Sequence, residues 1–301
     1  AEYKAIHGTL FQHRTSDPLS PGIPGATWAS GGGLNSGRAT YQGSSTSGTQ
    51  TATITFAGYD TAIRAYTESY NGSSWTEVGD LNAGAASHAG AGTSTAALSF
   101  GGMPAVASNE SWNGSSWTEV NDLNTGRGNS SSFGLQTAAI AAGGRTPSKA
   151  NVESFDGTSW TEVGDLNTAR YMAAGVGRST TGLVIGGDIS PHPTAGNVVE
   201  SWDGSSWTEI AEVNVARWGM SGAGIANTAA LAFHGYIQPG SYVGSTESWD
   251  GSSWTEVADM SVARALGASS GTVAAALAFG GQGSSIDNST TEEWTQAGAT
   301  D

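Results

Sequence analysis

The chain has 301 residues, no cysteine and a formal charge of −15, from 11 basic and 26 acidic side chains. That length can bury a sizeable core, and the acidic balance repels phosphate backbones and anionic lipid, which sets nucleic acid and membranes aside as partners. Without cysteine there are no disulfides or thiolate metal sites, and no apolar run approaches the ~20 residues of a membrane span.

Residues 1–26 contain Pro18, Pro21 and Pro24 and show no period. They are expected to form an N-terminal extension: a tail lying over the surface, or an arm that docks on a partner. No secretory signal is legible in "AEYKAIHGTLFQ". Residues 27–301 read as one repeat domain. It opens on "TWASGGGLNSGR" at 27–38, which aligns with "SWTEVGDLNTAR" at 159–170.

The repeat itself is plainest at 110–120, "ESWNGSSWTEV", which returns as "ESWDGSSWTEI" at 200–210 and "ESWDGSSWTEV" at 247–257. Its second tryptophan falls at Trp75, Trp117, Trp160, Trp207 and Trp254, at intervals of 42, 43, 47 and 47. Five residues before each stands Tyr70, Trp112, Phe155, Trp202 or Trp249. Between them lies Asn-Gly or Asp-Gly, a pair suited to the positive φ of a tight turn. A turn of two or four residues puts both rings on one face of a hairpin, and burying each ring contributes roughly 1.5–3 kcal/mol.

Short apolar runs bounded by glycine, such as "TAALSFGG" and "TAAIAAGG", read as strands. In the third unit they predict strands near 129–134, 137–144, 151–155 and 160–163. Four antiparallel strands per 40 to 50 residues are the signature of a β-propeller blade. The fold class is therefore all-β, a propeller with four strands per blade. Tyr70, Trp112, Phe155, Trp202, Trp249 and Trp294 count six blades. The chain ends without a fourth strand after Trp294, and the segment around Trp28 supplies one, closing the ring and removing its free edges. The alternative, Trp294 as a second tryptophan, leaves a blade incomplete.

A glycine pair, a glutamate two residues before an aromatic, a tryptophan and then an arginine opening the next unit resemble the kelch repeat. The pairs are Gly101-Gly102, Gly143-Gly144, Gly186-Gly187 and Gly280-Gly281, with Ala57-Gly58 and His234-Gly235 as variants. The glutamates are Glu68, Glu110, Glu153, Glu200, Glu247 and Glu292. The arginines are Arg38, Arg127, Arg170, Arg217 and Arg264, with Ala85 departing. WD40 repeats are the competing resemblance, carried by "WD" at Trp202 and Trp249, but no Gly-His pair opens each unit.

Residues repeated in every blade serve the fold, so the Glu and Arg series are expected to tie blades together rather than to catalyse. The glycine pairs lack a P-loop context. His7, His13, His88, His192 and His234 are scattered, without metal-ligand spacing. Galactose oxidases, which resemble kelch proteins, use a tyrosine cross-linked to cysteine, which this chain cannot form. No catalytic residue, metal or cofactor is expected. Asp-rich turns such as "DGTS" offer at most weak calcium ligands.

What varies between blades is the loop joining the second and third strands. It is short at 103–109 and long at 188–197 and 236–245, in adjacent blades. These two loops carry the candidate ligand-binding residues Asp188, His192, Tyr236 and Tyr242. Trp218, unlike Tyr171 and Leu266 in neighbouring units, is expected to fill core.

A non-enzymatic binding or structural propeller follows. The "W[ND]GSSWTEV" blades resemble propellers of marine tailed-phage virions. That implies a virion surface or tail-appendage protein, virion or extracellular, meeting other virion proteins or a host-surface glycan or protein. The alternatives are a cell-surface lectin or adhesin, or an intracellular kelch-type interaction module.

Overall fold

The computed structural model describes residues 25–39, 48–145, 147–283 and 288–296. The extension expected over 1–26 lies almost wholly outside the described residues.

Six antiparallel sheets follow one another along the chain. Blade 1 is Gly48–Thr49, Ala52–Phe56, Thr67–Tyr70 and Trp75–Val78, from axis to rim. Blade 2 is Ala89–Gly92, Ala97–Phe100, Asn109–Trp112 and Trp117–Val120, and blade 3 is Ser131–Leu135, Ala138–Gly144, Lys149–Phe155 and Trp160–Val163. Blade 4 holds Ala174–Arg178, Thr181–Ile189, Ala195–Trp202 and Trp207–Ile210, with Arg170–Tyr171 as an extra pairing on its second strand. Blade 5 is Ser221–Ala226, Ala229–Ile237, Ser241–Trp249 and Trp254–Glu256. Blade 6 takes Ala268–Gly271, Ala275–Phe279 and Thr291–Thr295 from the end of the chain and Thr27–Ser30 from its beginning, with Trp28 opposite Trp294.

Burial explains the sequence patterns. The second strand of blade 2, Ala97–Phe100, is buried at every residue because neighbouring blades cover both its faces. The outermost strand, Trp117–Val120, buries its tryptophan and leaves Thr118 and Glu119 exposed. In the intervening turn, Asn113 Oδ1 accepts the backbone N–H groups of Ser115 and Ser116, each at 3.0 Å. Asp156 does the same for Thr158 and Ser159, each at 2.8 Å. Gly114 and Gly157 follow with φ of 95° and 96°. The turn has four residues, so Trp112 stands directly opposite Trp117, with ring centroids 5.3 Å apart.

The second tryptophan also holds neighbouring blades together. Trp117 meets Phe56 of blade 1 edge to face at 4.8 Å, and its Nε1–H donates to Thr67 Oγ1 at 3.0 Å. Trp75 repeats this on blade 6 with Phe279 and Thr291, and Trp28 on blade 5 with Phe233 and Thr246. Six apolar clusters result, one in each gap between adjacent blades. The core is thus a ring of six wedges.

Near the axis the inner strands close by polar contacts. Asn129 N–H donates to Ser87 O, Met172 to Asn129, Gly219 to Met172 and Leu266 to Gly219, at 2.6–2.9 Å. Each of these residues, from consecutive blades, has a left-handed φ of 54–65°. Ser131, Ser221 and Ser269 donate their hydroxyls to backbone carbonyls of the adjoining blade at 2.8–3.0 Å. Small residues here let backbones approach, and the hydroxyls satisfy carbonyls that a close approach would bury.

In five of the six blades the Arg and Glu series link the connector to the blade it opens. Arg127 donates to Glu153 Oε1 at 2.6 Å, and Arg38 and Arg217 to Glu68 and Glu247 at 2.5 and 2.8 Å. Arg170 pairs with Glu200, and Arg264 with Glu292. All ten side chains are at most 1% exposed. Asn124, on the same connector as Arg127, adds bonds to Glu153 Oε2 and Trp160 O.

The glycine pairs act at the end of the second strand. Gly186 has φ of 61°, and a Cβ there would lie 2.9 Å from Arg217 O and 3.0 Å from Met220 Cε of the next blade. In the following gap the sizes are exchanged. His234 holds the glycine position with φ of 47°, and Gly267 replaces the methionine, leaving room for His234 Nε2. One slot is filled from either side.

Burial of His234, reinforced by the charges of Arg264 and Arg217, keeps its pKa far below the usual value. His88, stacked on Phe56, is lowered to about 3 by burial and by Arg38, against an opposing contact with the Phe56 backbone. Above pH 6.5 both are neutral in folded and unfolded chains. Below it the unfolded chain binds protons that the native state refuses. Stability should therefore fall with pH by about 1.4 kcal/mol per pH unit for each histidine, for His88 down to about pH 3. Urea midpoints measured from pH 7 to pH 4 check this; a flat profile would refute it.

Candidate functional site

The two long loops meet on one side of the ring. In blade 4 the second strand runs on to Ile189, and the third begins at Ala195. In blade 5 the corresponding strands reach Ile237 and start again at Ser241. Between the loops lies a cleft of about 490 Å³. Pro193, Thr194 and Ala195 form one wall, Ile237 and Gln238 the other, and the connector Asn214, Val215 and Ala216 also lines it.

The blade 4 wall is braced by a compact polar group. Asp188 is buried and its Oδ2 accepts the Tyr171 hydroxyl at 3.0 Å, while Oδ1 accepts Thr194 N–H at 3.1 Å. His192 Nδ1 also pairs with Asp188 Oδ2 and lies 2.5 Å from Tyr171 Oη. The Arg145 guanidinium sits 5.3 Å from the centre of the Tyr171 ring. Burial raises the Tyr171 pKa to about 12, helped by Asp188 and opposed by Arg145. Tyr171 therefore stays protonated and donates. His192 is half exposed at 51%, so Asp188 acts as the buried anchor and His192 as the group presented to solvent.

Blade 5 presents an aromatic run. Trp218 lies 4.8 Å from Tyr236, which meets Tyr242 edge to face at 5.2 Å. All three are partly exposed. Tyr236 and Tyr242 are cross-strand partners, and Trp218 and Tyr236 exchange backbone hydrogen bonds at 3.2 and 2.8 Å. Burial raises the Tyr242 pKa, so it too keeps its proton.

The structure thus brings Asp188 and His192 together in the blade 4 loop, and Tyr236 and Tyr242 together at the base of the blade 5 loop, and none of the four lines the cleft. The cleft is lined instead by their neighbours in the two loops, Gln238 among them, and by the Asn214 connector, which sequence reasoning missed. It also took Trp218 as core and aligned it with Tyr171 and Leu266. The register keeps the match to Tyr171, replaces Leu266 by Ala265, and adds Gly128 and Ala86, each bridged to the start of its own loop. An aromatic at that position occurs only in blades 4 and 5, which carry the long loops, and this coincidence was available in the sequence. Among the described residues no group of three or more His, Asp or Glu side chains could hold a metal ion.

No protein-family model matches the chain, and no curated protein matches it in sequence. The architecture is nonetheless plain: a six-bladed β-propeller with four antiparallel strands in each blade.

Proposed function

We propose that the chain is a non-enzymatic recognition module of kelch-like repeats, which meets its target through the cleft between the loops of blades 4 and 5. One observation carries the reading. Across six nearly identical units, the two longest loops, the extra aromatics Tyr171 and Trp218, and the cleft all fall in the same two adjacent blades. The cleft offers the amides of Asn214 and Gln238 and the hydroxyl of Thr194, and blade 5 carries the partly exposed rings of Trp218, Tyr236 and Tyr242. Such groups suit the hydroxyls and the apolar face of a sugar ring. A surface glycan is the target class that this chemistry favours.

The abundance of Gly, Ser, Thr and Ala, the net charge of −15 and the "W[ND]GSSWTEV" blades support placement on the outside of a tailed-phage particle. There the module would recognise a host surface or decorate the particle. A cell-surface lectin shares the same site chemistry. Screening the purified protein on a broad glycan array tests the reading. A specific hit weakened by Tyr236→Ala or Tyr242→Ala is expected. Absence of any hit, with co-sedimentation on capsids or tails instead, would replace recognition by an assembly role.

A further inference from the structure

We infer that blade 2 contains a binding socket for a small guanidinium-type cation, formed where the repeating arginine is replaced by Ala85. The other five blades define what this socket holds. In blade 3, Glu153 Oε2 accepts Asn124 N–H and Nδ2–H, Oε1 accepts Thr125 N–H, and the free side of Oε1 takes Arg127. The same guanidinium donates to the carbonyls of Gly143 and Asn151 at 3.0 and 2.7 Å. A planar fork thus bridges a carboxylate and strand carbonyls.

Blade 2 keeps every part of this receptor except the cation. Glu110 Oε2 accepts Asn82 N–H at 2.9 Å and Nδ2–H at 2.7 Å, and Oε1 accepts Ala83 N–H at 3.3 Å. Ser99 stands opposite Glu110 as Ala141 stands opposite Glu153. Gly101 and Ser108 hold the places of Gly143 and Asn151. Among the described residues, no Arg, Lys or His pairs with Glu110.

Solvent reaches this position alone of the six. Glu110 is 8% and Ser99 6% exposed, against at most 1% for the five other glutamates and 0% for Thr55, Ala141, Val184, Ala232 and Ala278 opposite them. Val106 Cγ2 and Ala85 Cβ both approach Gly102, near the site that the arginine stem takes over Gly144 in blade 3. Apolar side chains thus stand in for the stem, while Glu110 and Ser99 at the head-group position keep a small solvent exposure. A carboxylate this buried is stabilised by a cation, and its fixed N–H donors hold it ready for one.

Thermal unfolding of the full chain in millimolar guanidinium chloride, against equal sodium chloride, tests the assignment. At ten times the dissociation constant the wild-type midpoint should rise by about 3 °C. Ala85→Arg, which supplies its own guanidinium, should show no such rise, and neither should Glu110→Gln, which removes the charge and keeps the shape. If Ala85→Arg does not fold, Glu110→Gln alone decides. An equal rise in the variants, an equal or larger rise with sodium, or no rise in the wild type would overturn the proposal.

Discussion

A chain beginning at residue 34 should fail to fold cooperatively. The deletion removes Thr27–Ser30, the fourth strand of blade 6, and with it the pairing that joins the two ends of the propeller within one sheet. Trp28 alone packs on Phe233 at 5.0 Å and Trp294 at 5.5 Å and donates to Thr246 Oγ1. Losing such a ring costs about 3–5 kcal/mol, a large share of the ~5–15 kcal/mol by which a domain is stable. The strand Thr291–Thr295 would become an open edge, a template for association. Size-exclusion chromatography should show aggregates and near-ultraviolet circular dichroism a loss of fixed tryptophan signals. A synthetic peptide spanning residues 25–36 should restore monomer. A truncated protein that stays monomeric with unchanged unfolding midpoint would contradict the closure.

Replacing Arg127 by alanine should destabilise the protein by about 3–5 kcal/mol, because Glu153 would then remain buried with its charge uncompensated. Two strand carbonyls, Gly143 O and Asn151 O, would also lose their donor. The double replacement Arg127→Met with Glu153→Leu should recover much of that loss, since removing both charges removes the desolvation penalty as well. Urea midpoints of the three variants measure this. Equal losses in the single and double variants would show that shape, not charge, sets the cost.

The fold was legible in the sequence to an unusual depth because repetition turns a weak local signal into six observations. The five-residue spacing of Trp112 and Trp117 fixed their facing pair, since the turn chemistry leaves few loop lengths. The Glu and Arg series pointed to a structural role as ties between blades. The geometry pairs five of the six glutamates with the arginine that opens the same unit, and leaves Glu110, whose unit has Ala85 there, without one. Less legible were contacts that link positions far apart in a unit. Nothing local says that Trp117 would find Thr67 as its acceptor, or that His234 and Gly267 share one slot. The left-handed residues at Ser87, Asn129, Met172 and Leu266 share no residue type, because the position is set by closure around the axis and not by propensity.

The site was legible in part, for the same reason. Loop length marked blades 4 and 5; Asp188, Tyr236 and Tyr242 lie at the bases of those loops and His192 within one of them. The cleft itself depends on how two blades stand side by side. Gln238 and the Asn214 connector therefore carried no signal of their own. Tyr171 and Trp218 did carry one, an aromatic where the other blades place Gly128, Ala86 and Ala265, but it is meaningful only once the register ties that position to the loop.

Binding by a loop-graft variant tests the central claim most directly. Residues 188–197 and 236–245 would each be shortened to the pattern of 103–109, leaving the six-blade ring intact. Wild type and graft would then be compared on the glycan array and by thermal unfolding. The account predicts that the graft still unfolds cooperatively near the wild-type midpoint and no longer binds. A graft that folds and binds as the wild type does would place recognition elsewhere on the propeller.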